Sequence, residues 1–202
     1  DEGSGNIAKD YSGNGNDGTL YNGPQWVDGK VGKALSFNLN KNNGETNYQY
    51  VSITKSSSIQ NFNDYTIVAW VNPRNLIATY EDVIIFTTSW STEGGFILQL
   101  EPSQAIFRVR NSSVGEGGAG FNLSGHLNKF NLYSGIWQKP YIKICVNEKC
   151  ASNNFSSTVP SNEIFQIAYW CCANRFLDGI IDEVRVYNRA LSDAEIKALY
   201  DS

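Results

Sequence analysis

The run LDGIIDEVRVYNRALSDAEIKALY (residues 177–200) holds two kinds of structure in one reading frame. Its first half, GIIDEVRVYN (179–188), is a strand-forming run rich in Ile and Val. Its second half starts a helix: Ser192 is placed as N-cap and Glu195 follows three residues on, the spacing of a capping box. Ile196 and Leu199 lie three apart and share a helix face, so a helix over 191–201 is expected to lie as a lid on a sheet.

Moving outward, helical periodicity disappears. Strand-like stretches are ALSFNLN (34–40), YQYVSIT (48–54), YTIVAWVNP (65–73), DVIIFTTS (82–89), GFILQLE (95–101) and AIFRVRN (105–111). After a Gly-rich stretch (115–125) come YIKICV and EIFQIAYW (163–170). Residues 1–25, dense in Gly, Asn, Asp and Ser, read as a loop. Short β-rich runs punctuated by Gly, Asn and Pro predict an all-β, two-sheet antiparallel sandwich with one short C-terminal helix, in a single domain spanning residues 1–202.

Composition narrows the function. A net charge of -4 and a pI near 5.0 disfavour a nucleic-acid partner, which needs clustered Lys and Arg. No apolar run approaches the roughly 20 residues of a membrane-spanning helix, so membrane insertion is not expected. Four cysteines suit disulfides and an oxidising, extracellular or cell-surface setting. Cys145 and Cys150 bracket Val146-Asn147-Glu148-Lys149. With Asn147-Glu148 as a two-residue turn, the two cysteines face each other across a hairpin, within disulfide range. Cys171 and Cys172 are adjacent and are expected either to form a vicinal disulfide or to stay reduced. Zinc is the rival for the four thiols, but paired C-x-x-C spacing is absent. Asn111, Asn122 and Asn154 each begin an Asn-x-Ser triplet and are candidate glycosylation sites.

Two stretches carry a family resemblance: DYSGNGNDGTLYNGPQWVDGKVGKALSF (10–37) and LDGIIDEVRVYNRALSDAEIKALY (177–200). The chain resembles the laminin-G-like domains of the concanavalin-A-like lectin/glucanase superfamily. That resemblance implies a jelly roll with one concave and one convex sheet, of about six or seven strands each. It also implies calcium where the N-terminal loop meets the last strand, with Asp10 and Asp182 as ligands and Asn14, Asn16 and Asp17 as further candidates. Calcium takes six to eight oxygens from carboxylates, Asn side chains and carbonyls, which a Gly/Asn loop can supply. Members usually open with an apolar strand ahead of the DEGSG run. A strand from outside residues 1–202 is therefore expected beside IDEVRVY, from upstream or from a neighbouring subunit.

The superfamily also contains glycosidases. Retaining ones need two carboxylates about 5–5.5 Å apart, which on a strand means acids at i and i+2 or i+4. No segment shows the superfamily's Glu-x-Asp-x-x-Glu pattern, and the adjacent Asp182 and Glu183 are expected to point to opposite faces. His126, the single histidine, sits in LSGHLNK without a partner signal. The expected function is non-catalytic: recognition of carbohydrate or a surface glycoconjugate, in a lectin-like or adhesive role. The alternative is a filament or surface-layer subunit whose partners are copies of itself. Aromatics suited to a sugar face are Tyr80, Trp90, Phe121, Trp137 and Trp170, with Trp90 foremost, while Trp70 belongs to the core. Arg108 and Arg110, two apart on one strand, share a face toward a polar or anionic ligand.

Overall fold

The computed structural model describes residues 2–38, 48–54, 56–59, 63–76, 82–87, 94–111, 113–156, 165–170 and 175–202. Its strands begin with β1 (Ile7–Ala8), β2 (Gly18–Tyr21), β3 (Gln25–Asp28), β4 (Lys33–Phe37), β5 (Tyr50–Ile53) and β6 (Tyr65–Pro73). Then come β7 (Asp82–Thr87), β8 (Gly94–Glu101), β9 (Gln104–Asn111), β10 (Gly115–Asn122), β11 (Asn131–Gln138) and β12 (Tyr141–Val146). The last are β13 (Lys149–Asn154), β14 (Phe165–Ile167), β15 (Tyr169–Trp170), β16 (Arg175–Phe176) and β17 (Gly179–Tyr187), followed by helix α1 (Asp193–Asp201).

Two antiparallel sheets face each other. One has eight strands in the order β1-β2-β5-β14-β7-β8-β9-β10; the other has seven, in the order β13-β12-β11-β6-β17-β4-β3. Neighbours distant in sequence sit side by side, as a jelly roll requires. The two-residue strands β15 and β16 pair separately. Alternation decides what faces inward. On β9, Ala105, Phe107 and Val109 are buried in the common core, while Arg108 and Arg110 point outward. β6 is apolar nearly throughout because both of its faces are covered. Tyr65, Ile67, Ala69 and Val71 enter the core, whereas Val68 and Trp70 meet α1.

The capping box forms as its spacing predicts. Ser192 Oγ accepts from the Glu195 N–H, and Glu195 Oε2 accepts from the Ser192 N–H. Ile196 is fully buried on the outer face of the seven-stranded sheet, Leu199 packs beside it, and Trp70 stacks on Tyr200 at 5.7 Å. Trp70 is thus a core residue, but of this lesser layer.

One expectation needs correction, and two further strands join those expected. Residues 1–25 are not all loop: β1 and β2 lie within them, and β3 begins at Gln25. Pairing with β5 and burial of Leu20 outweigh the turn-rich composition. The Gly-rich stretch 115–125 contains a strand, β10, which pairs with β9 along its full length. Asn131–Gln138, passed over in the sequence, is a nearly fully buried strand. Its Gly135 lies under the Phe107 ring, where a Cβ would clash. The hairpin after β12 forms in the expected register, Val146 opposite Lys149 and Cys145 opposite Cys150, and the cysteines are bonded with Cα atoms 4.0 Å apart. Asn147 takes the positive φ (58°) in place of glycine. Its carboxamide accepts from the Leu132 N–H and donates to Asn131, which holds that turn in place. Cys171 and Cys172 lie outside the described residues.

Candidate functional site

The outer face of the eight-stranded sheet carries a row of aromatic rings. Tyr21 on β2 and Tyr50 on β5 are direct cross-strand partners and stack at 4.8 Å with planes 7° apart. Tyr50 continues to Tyr169 at 5.2 Å, Tyr169 to Tyr48 at 5.3 Å, and Tyr48 to Phe176 at 5.1 Å. Beside them the Arg175 guanidinium lies over the Trp170 ring at 3.9 Å, and Trp170 rests on Val83 and Ile97.

Local backbone geometry produces this row. Tyr48 and Tyr50 are two residues apart in an extended segment and project to one side. Ala168 then turns the chain out of the sheet. It adopts φ 68°, a left-handed conformation costly for a residue with a Cβ, and is held by hydrogen bonds to Ile84 and from Leu177. That bend swings Tyr169 and Trp170 across the outer face, where β16 pairs Phe176 and Arg175 with them.

Polar groups border the rings. Asn22 donates to the Tyr48 carbonyl, and Gln25 donates to the Gly23 carbonyl. Tyr21 remains 43% exposed, which leaves ring surface for a ligand, while burial pushes the Tyr50 hydroxyl pKa upward. Farther along the same face, Arg108 pairs with Glu101 at 3.1 Å and lies 3.6 Å from Glu116. Arg108 and Arg110 do share that face, as their spacing predicts.

Of the aromatics expected to meet sugar, Trp170 lies beside the row, under the Arg175 guanidinium. Trp137 does not: it is fully buried in the core against Phe155. Phe121 also packs against the core. Tyr80 and Trp90 lie outside the described residues. The row's tyrosines escaped notice because each sits in or beside a strand, where an aromatic is usually counted as core. The signal that identifies them is the alternation Tyr48-Gln49-Tyr50. Asn122 and Asn154 are exposed, and Asn111 is half-buried at the end of β9. His126 is held through its carbonyl by Asn131 and lies beside Tyr133, and burial and Lys129 lower its pKa.

The residues expected to hold calcium are engaged otherwise. Asp10 Oδ1 accepts from the Ser12 N–H; Oδ2 accepts from the Asn16 N–H and side-chain amide. Burial opposes ionisation of Asp10, yet these donors outweigh it and hold the pKa below the ordinary value. Asp17 takes the Asp10 N–H and the Lys9 ammonium at 2.5 Å. Asn16 Oδ1 accepts from Ser56 and Ser58, and Asn14 donates to Ser12 Oγ through its N–H and its amide. Asp182 accepts from the Val31 and Glu183 N–H groups, and burial raises its pKa in spite of them. Among the described residues, three metal-type side chains converge only at Cys145, Cys150 and Asp193, where the thiols are already bonded. Asp10, Asn14, Asn16 and Asp182 all line one cavity, which Asp17 does not reach.

No curated protein matches the chain by sequence. Solved structures do match its fold. The binding domain of Paraclostridial Mosquitocidal Protein 1 aligns with a TM-score of 0.77 at 18% identity, over 95% of this chain and 48% of that one. The binding domain of botulinum neurotoxin serotype D/C gives 0.79 at 12% identity, over 98% and 50%. A structure titled as showing that cell entry of botulinum neurotoxin type C depends on two ganglioside molecules gives 0.74 at 11%, over 98% and 49%. The chain thus spans about half the length of these binding domains. Residues 43–197, well over half of the sequence, match the laminin-G-like family itself. The chain belongs to the concanavalin A-like lectin/glucanases superfamily, in its laminin-G-like branch.

Proposed function

We propose that this domain is a non-catalytic module acting outside the cell that binds carbohydrate or a surface glycoconjugate on the outer face of its eight-stranded sheet. The observation that carries this reading is the continuous ring row Tyr21–Tyr50–Tyr169–Tyr48–Phe176. A sugar ring presents an apolar C–H face and a polar hydroxyl edge, which matches an aromatic platform bordered by amides. Hydroxyls reach Asn22 and Gln25 directly or through water, so contacts are shallow and wet. The binding domains similar in fold lend general support to a binding rather than a catalytic role.

Glycan-array screening of the purified domain, followed by titration of the strongest ligand, tests the proposal. Tyr21→Ala and Tyr50→Ala should each weaken binding about five- to tenfold, the effect of one lost aromatic contact of about 1–1.4 kcal/mol. Their circular dichroism should stay unchanged. Binding that survives both substitutions, or no binding to any glycan, would overturn it.

A further inference from the structure

The rings of the aromatic row are evenly spaced. From Tyr21 through Tyr50, Tyr169 and Tyr48 to Phe176, successive centroids lie 4.8, 5.2, 5.3 and 5.1 Å apart, and successive planes tilt by 7°, 29°, 22° and 18°. None of these tilts greatly exceeds the twist between neighbouring strands, about 20–25°, so the row follows the sheet and turns no corner. Near-parallel rings this close cannot lie flat side by side. They overlap in an offset stack, in which each ring shows solvent an edge and a strip of its face. The surface is therefore ribbed, with one rib per ring.

Every rib keeps outward surface. Tyr21 is exposed, and Tyr50, Tyr169, Tyr48 and Phe176 are half-buried. The rings and the bordering amides of Asn22 and Gln25 carry no charge. Two cations on this face are already engaged: the Arg175 guanidinium covers the Trp170 ring, and Arg108 lies between Glu101 and Glu116.

We infer that the ligand of this face is the interior of a neutral, linear polysaccharide in an extended, equatorially linked form, laid along the row with one pyranose per rib. The inference rests on the carbohydrate reading of the row and adds to it the shape of the ligand. A strip of ring face is a small contact, so a single sugar gains little from one rib. A chain that repeats at the pitch of the ribs makes the same contact at each of them. Residues of an extended, equatorially linked glycan follow one another at one pyranose length, which is the pitch of this row. The first contact carries most of the loss of free motion, and each later one is made within a chain already held. A proline-rich peptide also lies on aromatic rings, but it presents the same face only about every 9 Å and would skip ribs.

The test is calorimetric titration of the purified domain with ladders of neutral β-1,4-linked oligosaccharides of glucose, mannose, xylose and N-acetylglucosamine, each from the monosaccharide to the hexasaccharide. In at least one ladder affinity should rise about two- to tenfold with each added residue and level off at the pentasaccharide, one sugar for each ring. Removing an end ring, in Tyr21→Ala or in Phe176→Ala, should move the plateau to the tetrasaccharide while circular dichroism stays unchanged. The two ends are tested separately, so a variant that fails to fold leaves the other to be read. Absence of a length-dependent gain in every ladder would overturn the inference. If a terminal or branched sugar then binds in a way that Tyr50→Ala abolishes, the carbohydrate reading stands without it. If no glycan binds at all, both fall. Saturable binding of a proline decapeptide on these rings, with the ladders inert, would likewise overturn both.

Discussion

The two long edges of the sandwich are finished differently. At one, β10 of the eight-stranded sheet meets β12 and β13 of the other. Asn153 donates to the Gly118 carbonyl, and Phe155, anchored by its N–H to the Pro140 carbonyl, lays its ring on Gly117 where no Cβ would fit. Trp137 fills the space behind it. At the other edge, the indole of Trp26 donates to the Gly5 carbonyl, but beyond that contact the sheets stay apart over the groove beside β17, which β4 pairs only from Gly179 to Ile181. The closed edge uses a large ring against a glycine. The open edge ends its hairpin early and leaves backbone and apolar surface uncovered. Closure here depends on whether one chain segment brings a plug to the seam, and not on sheet pairing.

Removing the plug should have the largest effect. Phe155→Ala should lower stability by about 2 kcal/mol, below the 3–5 kcal/mol of a fully buried phenylalanine because the ring is half-exposed. Val186→Ala at the open edge should cost less than about 1 kcal/mol. Urea unfolding of both variants measures the contrast, and equal losses would erase the distinction between the edges.

Acid should separate the edges next. Asp10 and Asp17, in the loop bordering the groove, have pKa values below ordinary; Asp17 owes this first to Lys9. A lowered folded pKa gives stability that is fully present above the unfolded value near 3.8 and lost as pH falls through the folded one. Asp182 has the opposite sign: burial raises its pKa, so its contribution is present below 3.8 and lost on ionisation as pH rises through the folded value. Its protonation at low pH relieves part of the strain that acid imposes. Hydrogen exchange below about pH 4 should therefore deprotect residues 9–17 before β12 and β13. Simultaneous deprotection would show that the two edges open as one unit.

The smallest expected effect is that of calcium. The loop closes on its own hydrogen bonds, so millimolar calcium or EDTA should leave the melting temperature unchanged. A rise with calcium that Asp182→Asn abolishes would show that an ion rearranges the groove's rim.

The strands with strong alternation or continuous apolar character, β6, β8, β9 and β17, were legible because burial on a known face imposes a period of two. The Cys145–Cys150 pair followed from turn length alone. β10 and β11 were not legible, since their glycines answer to Phe155 and Phe107 across the core, residues distant in sequence. The expected calcium ligands show the same limit. A cluster of Asp and Asn is equally a cage or a set of turn caps by spacing; only the fold shows that Asp10, Asn14, Asn16 and Asp182 line one cavity and that Asp10 and Asp182 accept backbone N–H groups.

For the site, the residue types were present in the sequence but their company was not. Tyr48 and Tyr50 declare a shared face by spacing, which is local geometry and needs no partner. Their joining to Tyr21, Tyr169 and Phe176 depends on strand register and on the left-handed bend at Ala168. The register joins Tyr21 to Tyr50, 29 residues on, and the bend is held by the bond from Ala168 to Ile84, 84 residues back. The sequence by itself determined the two-sheet sandwich, the capped helix and the cross-hairpin disulfide, because each rests on short-range periodicity or stereochemistry. Only the tertiary structure decided which aromatics form a surface and which edge stays open, because those depend on which distant backbones meet and where a hairpin stops.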